Sequence, residues 1–204
     1  LFSPLIVLLL RRLSKPNTPV NTNNDQVDSI DLIESVENNV VVLGFGRFSQ
    51  IVCQTLLARG IQVTVIDANI DRIRSAAKFG FKVYYGDGSR LDVLRACGLE
   101  KASCLILGIS DTHCIELIVE QIKQEYPLLP VLARTYDRQS AVNLMKLNID
   151  FQIRETFESA LLLGREALIR LGVAQVEADE VVTAIRQLHQ ERLNEEVLHG
   201  FSAE

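Results

Sequence analysis

Val40-Val-Val-Leu-Gly-Phe-Gly-Arg-Phe-Ser49 decides the fold of this chain. Four apolar residues, three of them β-branched, predict a buried strand that stops at Gly44. Ile51, Val52, Thr55 and Leu56 then recur at helical spacing. A strand, a glycine turn and a helix start form a phosphate cradle. Gly44 permits the tight turn, Gly46 lets the backbone approach an anion, and the N–H groups of the first helical turn face it. About 20 residues on, Val63-Thr-Val-Ile-Asp67 predicts a second strand ending in an acid. In a βαβ dinucleotide fold that acid holds a ribose hydroxyl. Ser49 stands where the fingerprint has its third glycine, so a Cβ is set against the strand. The alternative reading keeps the βαβ unit as scaffold, with Asp67 a polar strand end.

The alternation continues beyond Asp67. The pattern predicts helices over Ile70–Phe79, Arg90–Ala96, from Ser110 or Asp111 to Tyr126, and over Arg138–Leu147. Gly80 ends the first of these, Gly98 the second and Pro127 the third. Strands are expected at Lys82–Tyr85, Cys104–Leu107, Val131–Ala133 and Asp150–Ile153. Apolar strands separated by helices imply a Rossmann-like, doubly wound parallel α/β sheet of about six strands. Ligands of such sheets sit beyond the carboxyl ends of the strands, at the switch point. Gly44, Phe45, Gly46, Arg47, Phe48, Asp67, Asp87 and Ser110 are therefore the candidate cofactor-binding residues. Arg47 suits a phosphate, or else is a solvated surface arginine. Asp87 suits an adenine amino group, or else satisfies its own turn. For Ser110 and Asp111 the favoured role is a helix cap.

The 204 residues are 48% hydrophobic and 23% charged, with a net charge of −5. That supports one good core with appendages, and the mildly acidic balance argues against nucleic acid as a partner. Cys53, Cys97, Cys104 and Cys114 show no C-x-x-C spacing and read as small core residues in a reducing compartment. His113-Cys114 is the only adjacent ligand pair; helical neighbours point apart, so no metal site is expected. Residues 1–13 are apolar, except for Ser3, up to Arg11-Arg12 and read as the end of a transmembrane helix, with the arginines on its cytoplasmic side. Residues 14–38 are a polar linker whose second half, Asp25 to Glu37, has the makings of a short amphipathic helix.

Residues 39–153 thus form the nucleotide-binding domain, and 154–204 a helical extension. In that extension one helix opens at Arg154 with Ala160, Leu161, Leu163, Ala167, Leu168 and Leu171 as its stripe, and Gly172 interrupts it. A second, from about Glu177, carries Val181, Ala184, Ile185, Leu188 and Leu193. Tyr136 has no lysine at the fourth place, and no histidine has a nucleophile at a meaningful spacing. The chain is expected to be no enzyme, and its two amphipathic helices to be a dimerisation surface.

From Val40 to about Gly172 the chain resembles the RCK or KTN regulatory domains of potassium channels and transporters. Within that group it is most similar to the carboxy-terminal domain of glutathione-gated potassium efflux (Kef) systems. The resemblance is carried by Gly44-Phe-Gly-Arg-Phe48, by Phe79-Gly-Phe-Lys-Val-Tyr-Tyr-Gly-Asp-Gly-Ser-Arg90 with Asp92 and Leu94, and by Gly98 with Lys101-Ala102. The most discriminating block is Arg154-Glu-Thr-Phe-Glu-Ser-Ala160 with Gly164-Arg165 and Leu171-Gly172. It implies a homodimer on the cytoplasmic face of the bacterial inner membrane, attached to its own amino-terminal transport domain. It further implies AMP or NAD(H) in the sheet, glutathione or its conjugates where two subunits meet, and an oxidoreductase-like ancillary subunit. Arg154 matches a family arginine of the glutathione site. Another such arginine falls on Gln54 and an asparagine on His189; both donate hydrogen bonds, but Gln54 has no charge. Two other assignments stay open: an RCK-type domain of a potassium channel or uptake system, and the nucleotide-binding part of an NAD-dependent oxidoreductase.

Overall fold

A computed structural model describes residues 39–79 and 81–199. The expected membrane-helix end (1–13), the linker (14–38) and the stop at Gly80 lie outside the described residues. No helix among the described residues is long and apolar enough to cross a membrane.

The elements run β1 (Asn39–Leu43), α1 (Arg47–Ala58), β2 (Gln62–Asp67), α2 (Ile70–Lys78), β3 (Lys82–Tyr85) and α3 (Leu91–Ala96). After a 3₁₀ turn at Leu99–Lys101 come β4 (Cys104–Leu107), α4 (Thr112–Glu125), β5 (Val131–Thr135), α5 (Arg138–Lys146), β6 (Phe151–Arg154), α6 (Glu155–Arg170) and α7 (Gln175–His199). All pairings are parallel, in the order β3-β2-β1-β4-β5-β6. The chain winds outward from β1 to β3, returns to lay β4 beside β1, and winds outward again. The connections leaving the carboxyl ends of the adjacent β1 and β4 therefore run to opposite faces of the sheet, and the crevice opens between them.

Each face of the sheet has its own core. Val40, Val42, Phe45, Val63 and Val65 meet Cys53 of α1 and Ala76 of α2 on one side. Val41, Leu43, Leu105, Leu107 and Val131 meet Leu94 of α3, Ile118 and Ile122 of α4, and Leu144 of α5 on the other. Strands buried on both faces are what the unbroken apolar runs of β1 and β4 require. Helix starts are set locally. Asn69 accepts from the N–H groups of Asp71 and Arg72, Asp111 from that of Cys114, and Asp137 from that of Ser140. Of the two cap candidates before α4, Asp111 takes the role.

The carboxy-terminal helices form a hairpin against the second half of the domain. α7 packs on α5 as well as on α6. Leu193 sits against Ala141 and Val142, and the buried Glu196 makes a two-point ion pair with Arg138 of α5. Arg165–Asp179 and Arg186–Glu158 pairs tie α6 to α7. The expected apolar stripes are placed differently. On α7 the inward residues are Ala178, Val182, Leu193 and Glu196, while Val181, Ile185 and Leu188 face outward. On α6 only Leu161 of the expected stripe is buried, and Leu163 is 72% and Leu171 82% exposed. α7 carries apolar side chains on more than one face, and packing on α5 selects the face that holds Glu196, the partner of Arg138.

Candidate functional site

The carboxyl ends of β1, β2, β4 and β5 frame a cleft of about 930 Å³, and α6 forms its far wall. That is near the upper end for small-molecule sites. Gly44, Gly46, Arg47, Phe48, Asp67, Asp87 and Ser110 all line it.

The glycine loop explains its own sequence. Gly44 has φ +87°, and a Cβ there would lie 2.8 Å from the Ile109 side chain. Gly46 is the N-cap of α1 and has open space where a Cβ would point. No side chain caps α1, so its first-turn N–H groups stay available to an anion, and Arg47 is exposed at its first position. Ser49, in place of the third glycine, is buried where α1 meets Gly108; a Cβ on Gly108 would strike its Oγ at 1.9 Å. The substitution at Ser49 is thus matched by a glycine on the facing strand end. Ser49 Oγ has no hydrogen-bond partner among the described residues.

Phe45 departs from expectation. Its side chain is fully buried, edge-on to Phe81 with ring centroids 5.7 Å apart, and it offers nothing to the cleft. The left-handed turn at Gly44 rotates the next side chain into the core. What Phe45 gives the site is its amide, which donates to Asp67 Oδ2 at 2.6 Å. Asp67 Oδ1 accepts from the Asn69 N–H at 2.7 Å, and Arg72 approaches Oδ2 at 3.5 Å. The acid expected to meet a ribose therefore also fixes the glycine loop. A carboxylate has about four acceptor positions, so capacity for a ribose hydroxyl remains.

Asp87 borders the cleft while its Oδ1 accepts from the N–H and hydroxyl of Ser89 at 3.0 and 2.7 Å. Those bonds hold its carboxyl below the usual range, with help from Arg90. Ser110, no helix cap, accepts from Arg134 Nη2 at 2.9 Å. Arg134 lies past Ala133, where the sequence pattern ends β5, so local pattern does not select it. The signal was a charged residue at a strand's carboxyl end, where ligands of this fold sit. Arg72, Glu155 and Ser159 also border the cleft.

A second cluster lies at the sheet edge. The Arg154 guanidinium sits 4.1 Å from the centroid of Phe157, and that ring is 4.6 Å from His189 of α7. The carboxylates near Arg154 are engaged elsewhere: Glu155 with Arg134, Glu158 with Arg186 and Glu196 with Arg138. Burial, then the neighbouring Arg138, push the Arg154 guanidinium below its ordinary value. Burial, then Arg154, Arg192 and Arg138, likewise lower the His189 imidazole. Such a patch, rich in cations around an aromatic face, suits a carboxylate ligand. Gln54 does not join it within one subunit. It lies half-buried on α1, which packs on β2, whereas β6 is the outer strand on the other side of β1. Among the described residues no group of three or more His, Cys, Asp or Glu is placed to hold a metal ion.

Comparison with known proteins fits this geometry. Residues 40–155 match the TrkA-N domain family. The glutathione-regulated potassium-efflux system protein of Haemophilus influenzae is 59% identical over all of this chain, which corresponds to 33% of that protein. The KefC protein of Klebsiella pneumoniae is 35% identical over 96% of this chain and 30% of its own length. The chain thus spans about a third of the curated relatives it matches. Among solved structures, the Shewanella denitrificans Kef CTD in its AMP-bound form is 34% identical with a TM-score of 0.73; the match covers 79% of this chain and 99% of that one. These relatives are named for potassium efflux and its regulation, not for catalysis. With a Rossmann-like sheet, an uncapped glycine loop and these similarities in place, the chain belongs to the TrkA-N domain family and, within it, to the Kef carboxy-terminal domains.

Proposed function

We propose that this chain is the regulatory segment of a potassium-efflux system, holding an adenine nucleotide in the cleft and glutathione or its conjugates where two subunits meet. The observation that carries this reading is the uncapped N-terminus of α1 opposite Asp67 in one cleft, in a chain similar to an AMP-bound Kef CTD. The first-turn N–H groups and Arg47 hold the phosphate, Asp67 the ribose, and Asp87 the adenine edge. That relative favours AMP over NAD(H). The exposed faces of α6 and α7 meet a second copy, which brings its own Gln54 towards Arg154 and His189. The rest of the protein supplies the transport domain, at the cytoplasmic face of the inner membrane, and an oxidoreductase-like subunit docks on the assembly. Gating then requires only that a ligand bind one arrangement of the pair better than the other; a bulky conjugate does so by displacing a side chain that free tripeptide leaves in place.

Native mass spectrometry tests the reading. The expected species is a dimer retaining one adenine nucleotide per subunit, with bound glutathione on addition of the tripeptide. Arg154→Ala is expected to weaken glutathione binding by about tenfold or more while nucleotide retention is unchanged, as for loss of a charge-assisted bond. A monomer with no retained nucleotide overturns the proposal.

The cysteines bear on how an electrophile is sensed. All four are free. Burial pushes the Cys53 thiol up to about 12 and that of Cys104 to about 11, and raises Cys97 and Cys114 as well. Raised values leave the thiol protonated at neutral pH, and only the thiolate attacks. The folded protein is therefore expected to resist N-ethylmaleimide at pH 7 at Cys53 and Cys104, with modification following denaturation. Mass mapping of labelled peptides checks this. Electrophiles then reach the domain as glutathione conjugates, not through its own thiols.

A further inference from the structure

Arg134 contacts three separate elements. From the end of β5 its guanidinium donates to Ser110 Oγ at 2.9 Å and to the Ile109 carbonyl at 3.3 Å, both in the loop after β4. It pairs with Glu155, the first residue of α6, at 3.1 Å. Its guanidinium carbon stands 5.8 Å from the centroid of Phe48, in the first turn of α1. The side chain is only 16% exposed and borders the nucleotide cleft.

We infer that Arg134 is a positioning residue that transmits occupancy of the cleft to α6. This rests on the nucleotide reading above. A planar guanidinium with five donors in a fixed fork holds several partners in one geometry, which a lysine cannot do. A ligand seated against Phe48 and Ser110 fixes two of the groups that orient the fork. The fork in turn fixes Glu155, and Glu155 opens the helix whose preceding residue is Arg154. β5 and β6 are in register here, Arg134 opposite Ile153 and Thr135 opposite Arg154, so the strut has a rigid base. The cleft and the Arg154–Phe157–His189 cluster are thereby joined through Arg134, beside the wall that α6 itself gives the cleft, with α6 as the moving part.

Hydrogen–deuterium exchange of the purified chain, with and without saturating AMP, tests this without glutathione. In the unaltered protein AMP is expected to slow exchange both at residues 44–50 and at residues 164–170, the part of α6 that does not line the cleft, the latter by about fivefold or more, the low end of usual coupling between sites. Both residues border the cleft, so each variant is measured with AMP raised to its own saturation; Arg134→Gln and Glu155→Gln are then each expected to show the first effect and lose the second. Glu155→Gln leaves Arg134 its other partners and so decides the matter if Arg134→Gln does not fold. Slowing at 164–170 that survives both substitutions overturns the inference, as does slowing in the unaltered protein that includes 44–50 but does not reach 164–170, which leaves the nucleotide reading standing. No slowing anywhere overturns both.

Discussion

Phe45→Ala is expected to destabilise the domain by about 3–5 kcal/mol, whereas Phe48→Ala, three residues on, costs only about 1 kcal/mol. The two phenylalanines flank the same glycine and arginine, and sequence alone gives them equal standing as ligand contacts. The fold separates them. Phe45 is wholly buried against Phe81, among Val42, Cys53 and Val65, where removing the ring leaves a cavity between β1 and α1. Phe48 is half-buried at the rim of the cleft, under the Arg134 guanidinium. Urea denaturation checks the stability difference. With a slope of about 2 kcal/mol per molar, Phe45→Ala moves the midpoint by roughly 2 M and leaves the slope unchanged. Calorimetric titration with AMP checks the other half: Phe48→Ala is expected to weaken binding in a protein that stays folded. Comparable destabilisation by both substitutions would mean that the turn at Gly44 does not direct Phe45 inward.

That pair also shows how far the sequence can be read. Most of the six strands were legible because they are short runs rich in apolar residues with a glycine or proline beside them, as Gly44 after β1, Gly86 after β3, Gly108 after β4 and Pro130 before β5, and such runs are interpreted locally. The cleft was legible because doubly wound sheets bind at the ends of their strands. Side-chain direction just past a left-handed glycine was not, since alternation is lost through a turn and both phenylalanines are equally apolar. Arg134 was missed for a related reason. Its strand continues past Ala133 only because β6 offers Ile153 and Arg154 as partners, a long-range fact that no local pattern carries. The inward face of α7 was hidden because Val181, Ile185 and Leu188 are as apolar as Ala178 and Val182. A half-buried ion pair between Glu196 and Arg138, 58 positions apart, helps decide between those faces. Gln54 and Arg154, matched to one ligand by resemblance, lie on elements that one subunit keeps apart.

Asp67→Asn is expected to lower stability in the absence of any ligand by about 2 kcal/mol, nearly as much as Asp67→Ala. A residue that served only to hold a ribose would be replaceable by its amide at no cost to the free protein. Asp67 does more, because its two oxygens accept from two backbone amides, those of Phe45 and Asn69, at 2.6 and 2.7 Å. It is 5% exposed, so the Phe45 N–H has little recourse to water if its partner is lost. An orphaned buried donor costs about 1–3 kcal/mol, and bonds to a charged acceptor lie at the upper end. An asparagine keeps one acceptor oxygen but turns an NH₂ group towards the second N–H, so one amide loses its bond and meets a donor. The nearby Arg72, half exposed at 3.5 Å, adds little. Thermal unfolding of the nucleotide-free protein is therefore expected to show a fall in Tm of roughly 4–8 °C for both variants. AMP affinity should fall in both as well, since the loop that presents the α1 amides is held in shape by the same carboxylate. If Asp67→Asn lost AMP affinity with an unchanged nucleotide-free Tm, the loop would be self-supporting and Asp67 a ribose contact alone.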